Sequence, residues 1–394
     1  MPSESRQTQG RLEAALVVLT AFLLISLYYA FWHADLLFDE VMHYPRILGI
    51  AEWRLQDVQW GVMLPGYHFL VGGMLGLLGV HSIAVARAVS FLVSAAAVIG
   101  GAFLVARSLD RSSFLLRTLQ VAVFPLLLPV LPLLYTDSLS LGLVLLTLWA
   151  ALRNRVPLSA ILLTLAILVR QNNVLWMPLL AGIVLMRGTY SALSRDGYFR
   201  LWPFLLPCLV LALFLIIHRS PALNFSAFHP IGFFPGNIFF ALALAAGIFP
   251  SLIIGQAGRI MALLHTHRKW LLVILFFLFL FHFAFTVSHP FNQDPQFWRN
   301  RVLLAVTQEW LPWVLFAFAM VLALLTMAVT RLAVRGAGLL YPCSLVYLGA
   351  SWLIDARYAL IPLVLFLLLR ERRSWKEEVM QYAWQVVVCM WIFV

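Results

Sequence analysis

Long apolar runs follow one another along almost the whole chain, and they limit the folds open to it more than any other feature. A soluble domain is about 25% charged and has no need of repeated apolar runs of about 20 residues. Here 63% of the 394 residues are hydrophobic and only 11% are charged. The sequence therefore predicts an all-α polytopic membrane protein, because each such run can cross a bilayer as a helix.

The charged residues between the runs predict the topology, since short loops rich in Lys and Arg stay in the cytoplasm. With the N-terminus in the cytoplasm, basic loops alternate strictly with loops that carry acids or clustered polar residues. The basic, inner loops are 107–117, 153–155, 187–200, 259–269, 331–335 and 370–376, and the outer loops are 32–80, 135–137, 170–173, 218–236, 289–301 and 355–358. The net charge of +11 reflects this bias, and without a nucleic-acid-binding motif we expect no nucleic-acid partner.

This alternation predicts about thirteen transmembrane helices in a single domain covering residues 1–394. The predicted spans are 12–31, 83–106, 118–134, 138–152, 157–169, 174–186, 201–217, 237–255, 270–287, 310–330, 337–353, 359–369 and 380–394. Residues 64–80 are also apolar, but a crossing there would break the alternation at the next loop. We therefore expect this segment to form an interfacial helix that lies on the membrane.

The first outer loop, residues 32–80, contains five of the 16 acidic residues: Asp35, Asp39, Glu40, Glu52 and Asp57. A carboxylate held near a sugar hydroxyl can act as a general base and remove its proton as the oxygen attacks. We take Asp39, Glu40 and Asp57 as candidate catalytic residues, with Asp39 or its neighbour Glu40 as the base. Carboxylates solvated among lipid headgroups are the alternative interpretation.

Polar segments interrupt apolar sequence in two further outer loops. The first, VLRQNNVLW, contains Arg170, Gln171 and Asn173, and the second, SWLIDARYALIP, contains Asp355, Arg357 and Tyr358. An arginine in the membrane core costs on the order of 2.5–3.5 kcal/mol, so a partner is expected. A phosphate would suit, because a guanidinium binds it through two hydrogen bonds. The alternatives are snorkelling for the first segment and an internal Asp–Arg pair for the second.

Arg299 and Arg301 lie in another outer loop, HPFNQDPQFWRNR, where they break the positive-inside pattern. We expect an anionic partner for them as well. Asp137 follows Pro129 and Pro132 at the start of a predicted helix, and we interpret it as an N-cap, a position where aspartate is common.

The sequence offers no metal or cofactor site. Cys208, Cys343 and Cys389 are widely spaced within apolar runs, where cysteine acts as a small hydrophobic residue. His265 and His267 lie in a basic inner loop beside an arginine and a lysine. P-loop, GxGxxG and HExxH motifs are absent, so we expect neither a metal nor a cofactor.

Six motifs occur in an order that resembles a known family. They are FDEVMHYP, LPGYH, YTDS, VRQNNVLW, HPFNQD and DARYALIP, and they extend from Asp39 to Pro362. Together they resemble the dolichyl-phosphoglucose-dependent α-1,2-glucosyltransferases, which add the last glucose to the lipid-linked oligosaccharide for N-glycosylation. These enzymes have the GT-C membrane glycosyltransferase fold, which includes an interfacial helix after the first outer loop.

The resemblance implies an inverting hexosyltransferase that takes glucose from a polyprenyl phosphate and passes it to a lipid-linked or other glycan. It implies no nucleotide or metal at the reaction centre, and an active site facing the lumen of the endoplasmic reticulum or the bacterial periplasm. The compact Ala- and Leu-rich chain suits a bacterial member, whose acceptor need not be an N-glycan precursor. Matching positions place Asp39, Glu40 and His43 in the catalytic loop and Arg170, Asn173, Arg357 and Tyr358 around the donor or acceptor.

A transporter or flippase of a lipid-linked sugar is the alternative function, because it would also need outer carboxylates and arginines near the membrane. Transporters often contain two similar halves with interrupted helices. The sequence shows no such repeat and concentrates its acids in one loop, which favours the enzyme.

Overall fold

The computed structural model describes residues 2–58, 63–187, 195–218, 230 and 232–393. Within these residues the regular structure is helical. The helices are α1 (Pro2–Trp32), α2 (Glu40–Ala51), α3 (Gly66–Leu78), α4 (Ile83–Leu109), α5 (Phe114–Ala122), α6 (Thr136–Leu152), α7 (Val156–Val169), α8 (Met177–Arg187), α9 (Arg195–Phe199), α10 (Leu205–His218), α11 (Gly236–Ile248), α12 (Pro250–Thr266), α13 (Lys269–Ala284), α14 (Trp298–Gln308), α15 (Trp310–Val329), α16 (Leu340–Gly349), α17 (Leu360–Leu369) and α18 (Trp375–Phe393).

The apolar helices are those of a polytopic membrane protein, as the sequence predicts. Three described helices are long and apolar enough to cross a membrane: Gln9–Trp32, Ile83–Leu109 and Trp310–Val329. A bent pair, α11 and α12, adds a fourth if it counts as one span. Several other predicted spans are apolar helices of only 10–17 residues. The count of thirteen transmembrane helices therefore stays a prediction.

The largest apolar core contains a short and fully buried helix, α17. Every residue of α17, from Leu360 to Leu369, is buried. A helix that is apolar on all sides is stable only away from water, and here protein rather than lipid surrounds it. It packs against α4, α5, α6 and α16, and its side chains join the largest apolar core.

The predicted span 118–134 is wrong as a continuous helix. Helix α5 ends at Ala122, and residues 124–133 form a series of turns, with Leu127 N donating to Phe124 O at 2.9 Å and Val130 N to Leu127 O at 3.1 Å. Pro125, Pro129 and Pro132 cause this, because proline lacks the amide hydrogen that a helix interior needs. The turns lie inside the protein, where their own hydrogen bonds replace those to water.

The predicted span 237–255 is likewise two helices. Helix α11 ends at Ile248, and α12 begins at Pro250 after a bend of 97°. Proline is well accommodated at the first position of a helix but cannot continue one. The chain therefore turns sharply at Phe249.

Helices α2 and α3, both within the first outer loop, run side by side. A Cβ at Gly72 would lie 2.7 Å from Ile47 O, and one at Gly76 would lie 2.9 Å from Ala51 O. Only glycine permits this close approach of the two backbones. Helix α3 also contacts α4 and α7 near their outer ends, as Gly66 approaches Leu168 O. Its placement on the membrane surface stays a prediction.

Three of the predicted inner loops, 107–117, 331–335 and 370–376, meet at one end of the bundle, where the last of them also contacts α12. Arg372 lies 3.5 Å from Asp110, Arg373 donates to Gly255 O at 2.7 Å, and Leu332 pairs with Arg370 in an isolated bridge. The described outer loops meet at the opposite end, where they form the candidate active site. These loops of the two sets are thus separated in the structure, and which set faces the cytoplasm stays a prediction.

Candidate active site

Asp39 lies at the start of α2, in the most exposed part of the outer cluster. The preceding residue, Phe38, has a left-handed backbone with φ of 50°, which is unusual for a bulky side chain. Asp39 Oδ2 accepts a hydrogen bond of 2.6 Å from Arg357 Nη1, and Asp39 N donates to the Tyr135 hydroxyl at 3.3 Å. The side chain of Asp39 is 46% exposed, so this carboxylate remains accessible to a substrate.

Glu40, the next residue, has the opposite environment. Its oxygens accept hydrogen bonds from Arg87 Nε at 3.0 Å, Arg87 Nη2 at 2.5 Å, Leu134 N at 2.9 Å and Leu37 N at 3.0 Å. Both charged side chains are fully buried. Arg87 also donates to the backbone carbonyls of Phe31, Ala34 and Asp35. Glu40 therefore joins the loop before α2 to α4 and to the segment before α6.

Sequence reasoning missed Arg87. The signal was present, because an arginine in the apolar run of α4 needs a partner. No spacing rule, however, connects it to a carboxylate 47 residues earlier.

Asp355 brings two arginines together in the last of the outer loops. Its Oδ2 accepts from Arg357 Nη2 at 3.2 Å and from Arg299 Nη1, while its Oδ1 accepts from Arg357 N at 3.0 Å. Burial alone would raise the pKa of Asp355, but the Arg357 and Arg299 guanidinium groups outweigh it and lower the pKa to about 2. The internal Asp–Arg pair weighed as an alternative for this segment is thus present.

Asp137 bridges two further parts of the cluster. It accepts a hydrogen bond from Arg170 Nη1, and its other oxygen lies 4.0 Å from Arg357 Nη1. The expected N-cap role of Asp137 is wrong, since the N-cap of α6 is Tyr135 and Asp137 lies in the first turn. The Arg170 guanidinium is buried over the Tyr358 ring, at 5.8 Å from the ring centre, rather than extended to the interface.

Aromatic rings and polar residues from the same motifs complete the cluster. Arg357 lies over the Tyr135 ring at 5.0 Å from its centre, which adds a cation–π contact. Asn173 is fully buried and donates to Ser140 Oγ and Ala166 O, both at 2.8 Å, so that it fixes the end of α7. Gln171 is half-buried at the start of a 3₁₀ helix.

Two candidates make no described ion pair with the cluster. Arg301 is exposed on α14 and forms no ion pair with a described carboxylate. Asp57 ends a short 3₁₀ helix, Leu55–Asp57, but its side chain lies outside the described residues. Its catalytic role stays a prediction.

Residues 34–198 match the model of the DIE2/ALG10 family. The predicted resemblance to the dolichyl-phosphoglucose-dependent α-1,2-glucosyltransferases is confirmed over this part of the chain. Searches of curated proteins and of solved structures gave no match. The family match indicates a membrane glycosyltransferase of lipid-linked oligosaccharide assembly.

The region that matches the DIE2/ALG10 family contains Asp39, Glu40, Asp137 and Arg170, whereas the other half of the charge cluster lies outside it. Arg299, Asp355 and Arg357 reach the matched region through the ion pair of Arg357 with Asp39. The folded chain thus places the later motifs, HPFNQD and DARYALIP, against the family-matched part.

A buried histidine pair lies behind Asp39 in the family-matched region. His43 Nδ1 and His68 Nε2 are 2.9 Å apart, on α2 and α3. Burial, and then the positive charges of Arg46, Arg357 and Arg170, lower the pKa of His43 to about 3; burial, His43 and Arg46 lower the pKa of His68 as well. Both rings are therefore neutral at ordinary pH, and His43 packs α2 onto α3.

Three buried asparagines, which sequence reasoning did not single out, hold the loop that carries Asp355. Asn237 Oδ1 accepts from Asp355 N at 2.9 Å, and Asn292 Oδ1 accepts from Ile354 N at 2.9 Å. Asn300 Oδ1 accepts from Asn292 Nδ2 at 3.1 Å. An asparagine at the start of an apolar helix, as in PGNIFF, was the available signal.

The described residues contain no group of three His, Cys, Asp or Glu side chains that could hold a metal ion. Carboxylates of the cluster are instead neutralised by arginines. The expectation of a metal-free and cofactor-free reaction stays a prediction.

Proposed function

We propose that the chain is an inverting glycosyltransferase that moves a hexose, glucose in an α-1,2 linkage, from a polyprenyl phosphate to a hydroxyl of a glycan or lipid-linked glycan. The family match supports the reaction class. The observation that carries the proposal is the position of Asp39, an accessible carboxylate paired with Arg357, which in turn shares an aspartate with Arg299. This transfer requires a base for the acceptor hydroxyl and cationic groups that bind the phosphate.

Asp39 is the base in this proposal. Its carboxylate takes the proton of the acceptor hydroxyl as that oxygen forms a bond to the anomeric carbon, on the face opposite the phosphate. The bond between the anomeric carbon and the phosphate oxygen breaks, and the phosphate leaves with the electron pair. Glu40 is less suited to this role, because Arg87 and two backbone amides occupy its oxygens.

The arginines of the cluster stabilise the departing phosphate. Arg357 and Arg299 are each 21% exposed, whereas Arg170 is 9% exposed. Arg357 and Arg299 are therefore the better candidates for direct contact with a substrate, and Arg170 for holding Asp137 and Tyr358 in place. Preorganised charges of this kind contribute strongly to catalysis because they need not reorient during the reaction.

The apolar helices make the chain an integral membrane protein. We propose that the charge cluster faces the lumen of the endoplasmic reticulum or, in a bacterium, the periplasm. The basic loops at the opposite end support this orientation.

Transfer from a synthetic short-chain polyprenyl phosphoglucose by the purified full-length protein tests the proposal, using a panel of lipid-linked and free glycans as acceptors. We expect a new glycosidic bond with the wild type and a loss of about 10²–10⁴-fold in rate for Asp39→Asn. Asp35→Asn is the matched control, because Asp35 is an exposed carboxylate of the same loop. Full activity of Asp39→Asn would overturn the role of Asp39, and donor binding without any transfer would favour the transporter.

A further inference from the structure

Arg357 and Arg299 meet at a single oxygen atom. Both guanidinium groups donate to Asp355 Oδ2, and Arg357 uses its other amino group, Nη1, to bind Asp39. Together with Asp137, which pairs with Arg170 and lies 4.0 Å from Arg357 Nη1, three carboxylates face three arginines in the cluster. A phosphodiester, which carries one negative charge, gains the Nη1 group of Arg357 only if Asp39 gives up its ion pair with that group.

Asp39 is the carboxylate that is held least firmly. It has one ion-pair partner among the described residues and is 46% exposed. Asp355 is 8% exposed, binds two arginines, and also accepts from Arg357 N and donates its own amide to Asn237. An exposed ion pair contributes little to stability, whereas separating a buried ion pair is costly. An incoming anion therefore displaces Asp39 before Asp355.

Taking Asp39 as the base and Arg357 as a phosphate ligand, as in the proposed function, we propose that Asp39 and the donor phosphate compete for Arg357, so that donor binding itself releases the base. The ion pair between Arg357 Nη1 and Asp39 breaks, and Nη1 binds a phosphate oxygen instead. The freed Oδ2 can then accept the proton of the acceptor hydroxyl. Arg357 thus couples the binding of the donor phosphate to the release of Asp39 as the base.

If Asp39 competes with the phosphate, its replacement should have the opposite effect on phosphate affinity from the replacement of a residue that binds the phosphate. Removing the charge of Asp39 should strengthen the binding of the phosphate while it abolishes transfer. We would titrate the full-length protein in nanodiscs of neutral lipid with farnesyl phosphate, which carries the leaving group's chemistry. We expect Asp39→Asn to bind at least about fivefold tighter than the wild type, in the range usual for coupled sites.

Two further variants separate direct competition from a general change in charge. Asp35→Asn removes an acid four positions earlier that has no contact with Arg357, and it should leave the affinity unchanged. Arg357→Gln should weaken binding, and adding Asp39→Asn to it should give no gain, because the two effects act through one contact.

Equal affinity of Asp39→Asn and the wild type would overturn the competition and leave the proposed function standing. Tighter binding by Asp39→Asn and Asp35→Asn alike would also overturn it, because the gain would then be a general charge effect. No binding of farnesyl phosphate to any variant would overturn both this proposal and the phosphate site of the proposed function.

Discussion

Glu40 and Arg87 form a fully buried, two-point ion pair that connects α2 to α4, with Arg87 Nη2 2.5 Å from Glu40 Oε2. Asp39, one residue earlier, faces a different arginine and remains exposed. Two adjacent acids in one motif thus have different roles. Glu40 fixes the loop, and Asp39 is left free for chemistry in the proposed function.

Removal of Arg87 should destabilise the protein severely. Arg87→Met leaves the Glu40 carboxylate buried and uncompensated, and a loss of about 3–5 kcal/mol is expected. The double variant Arg87→Met, Glu40→Gln should recover part of this loss. Thermal unfolding in detergent measures both effects.

The exposed pair of Arg54 with Glu52 provides the control for this variant. Its side chains are 56% and 32% exposed, and Arg54→Met should change stability by less than about 1 kcal/mol. Equal losses for Arg87→Met and Arg54→Met would contradict the structural role assigned to Arg87.

The histidine pair should make the protein sensitive to mild acid. The pKa of His43 is lowered from 6.5 to about 3, so below pH 6.5 the unfolded chain binds a proton that the folded chain does not. Stability is then fully present above pH 6.5 and is lost progressively as the pH falls toward 3. His68, whose pKa is also lowered, acts in the same direction.

Melting temperatures measured between pH 7.5 and about 4.5 test this prediction, because most carboxylates titrate below this pH range. His43→Gln should show a shallower loss across this range than the wild type. His81→Gln serves as the control, because His81 is 43% exposed, and it should keep the wild-type slope. An unchanged slope in His43→Gln would exclude the pair as the cause.

The close contact of α2 and α3 predicts different results at neighbouring glycines. Gly72→Ala places a Cβ 2.7 Å from Ile47 O and should cost about 1–3 kcal/mol as the helices separate. Gly73→Ala meets nothing within 4 Å and should stabilise α3 by up to about 1 kcal/mol. The difference in unfolding temperature between the two variants is the measurement, and a reversed order would contradict the packing.

Two glutamines one turn apart on α18 should respond oppositely to replacement by leucine. Gln385 is fully buried, and neither its Oε1 nor its Nε2 has a partner among the described residues. Gln381 donates to Ile248 O at 2.6 Å and accepts from Ser251 Oγ at 2.5 Å. Gln385→Leu should leave the free energy of unfolding unchanged or raise it. Gln381→Leu should lower it by about 1–3 kcal/mol, because the former hydrogen-bond partners of Gln381 remain buried and unpaired. Thermal unfolding of both variants measures these changes in stability. A clear loss of stability in Gln385→Leu would contradict the prediction, because it would show that the Gln385 amide forms a hydrogen bond in the folded protein.

Much of the site could be predicted because polar residues are costly beside an apolar core. Arg170, Asp355 and Arg357 stood out in apolar sequence for this reason, and the structure brings all three into one cluster. Helix lengths were predicted less well, since a hydropathy run does not distinguish a long helix from the proline-rich turns at 124–133. Pro250 could have marked the bend between α11 and α12, but its angle depends on packing.

The helical membrane class, the two sets of loops and the family resemblance could be predicted from the sequence, because they depend on composition, charge and local motifs. Which arginine pairs with which carboxylate, by contrast, depends on the tertiary structure. The pair of Arg357 with Asp39 joins residues 318 positions apart, and its geometry depends on how α2 and the loop before α17 pack together. The same packing directs Glu40 inward to Arg87 and leaves Asp39 accessible, a difference that two adjacent acids in a sequence cannot show.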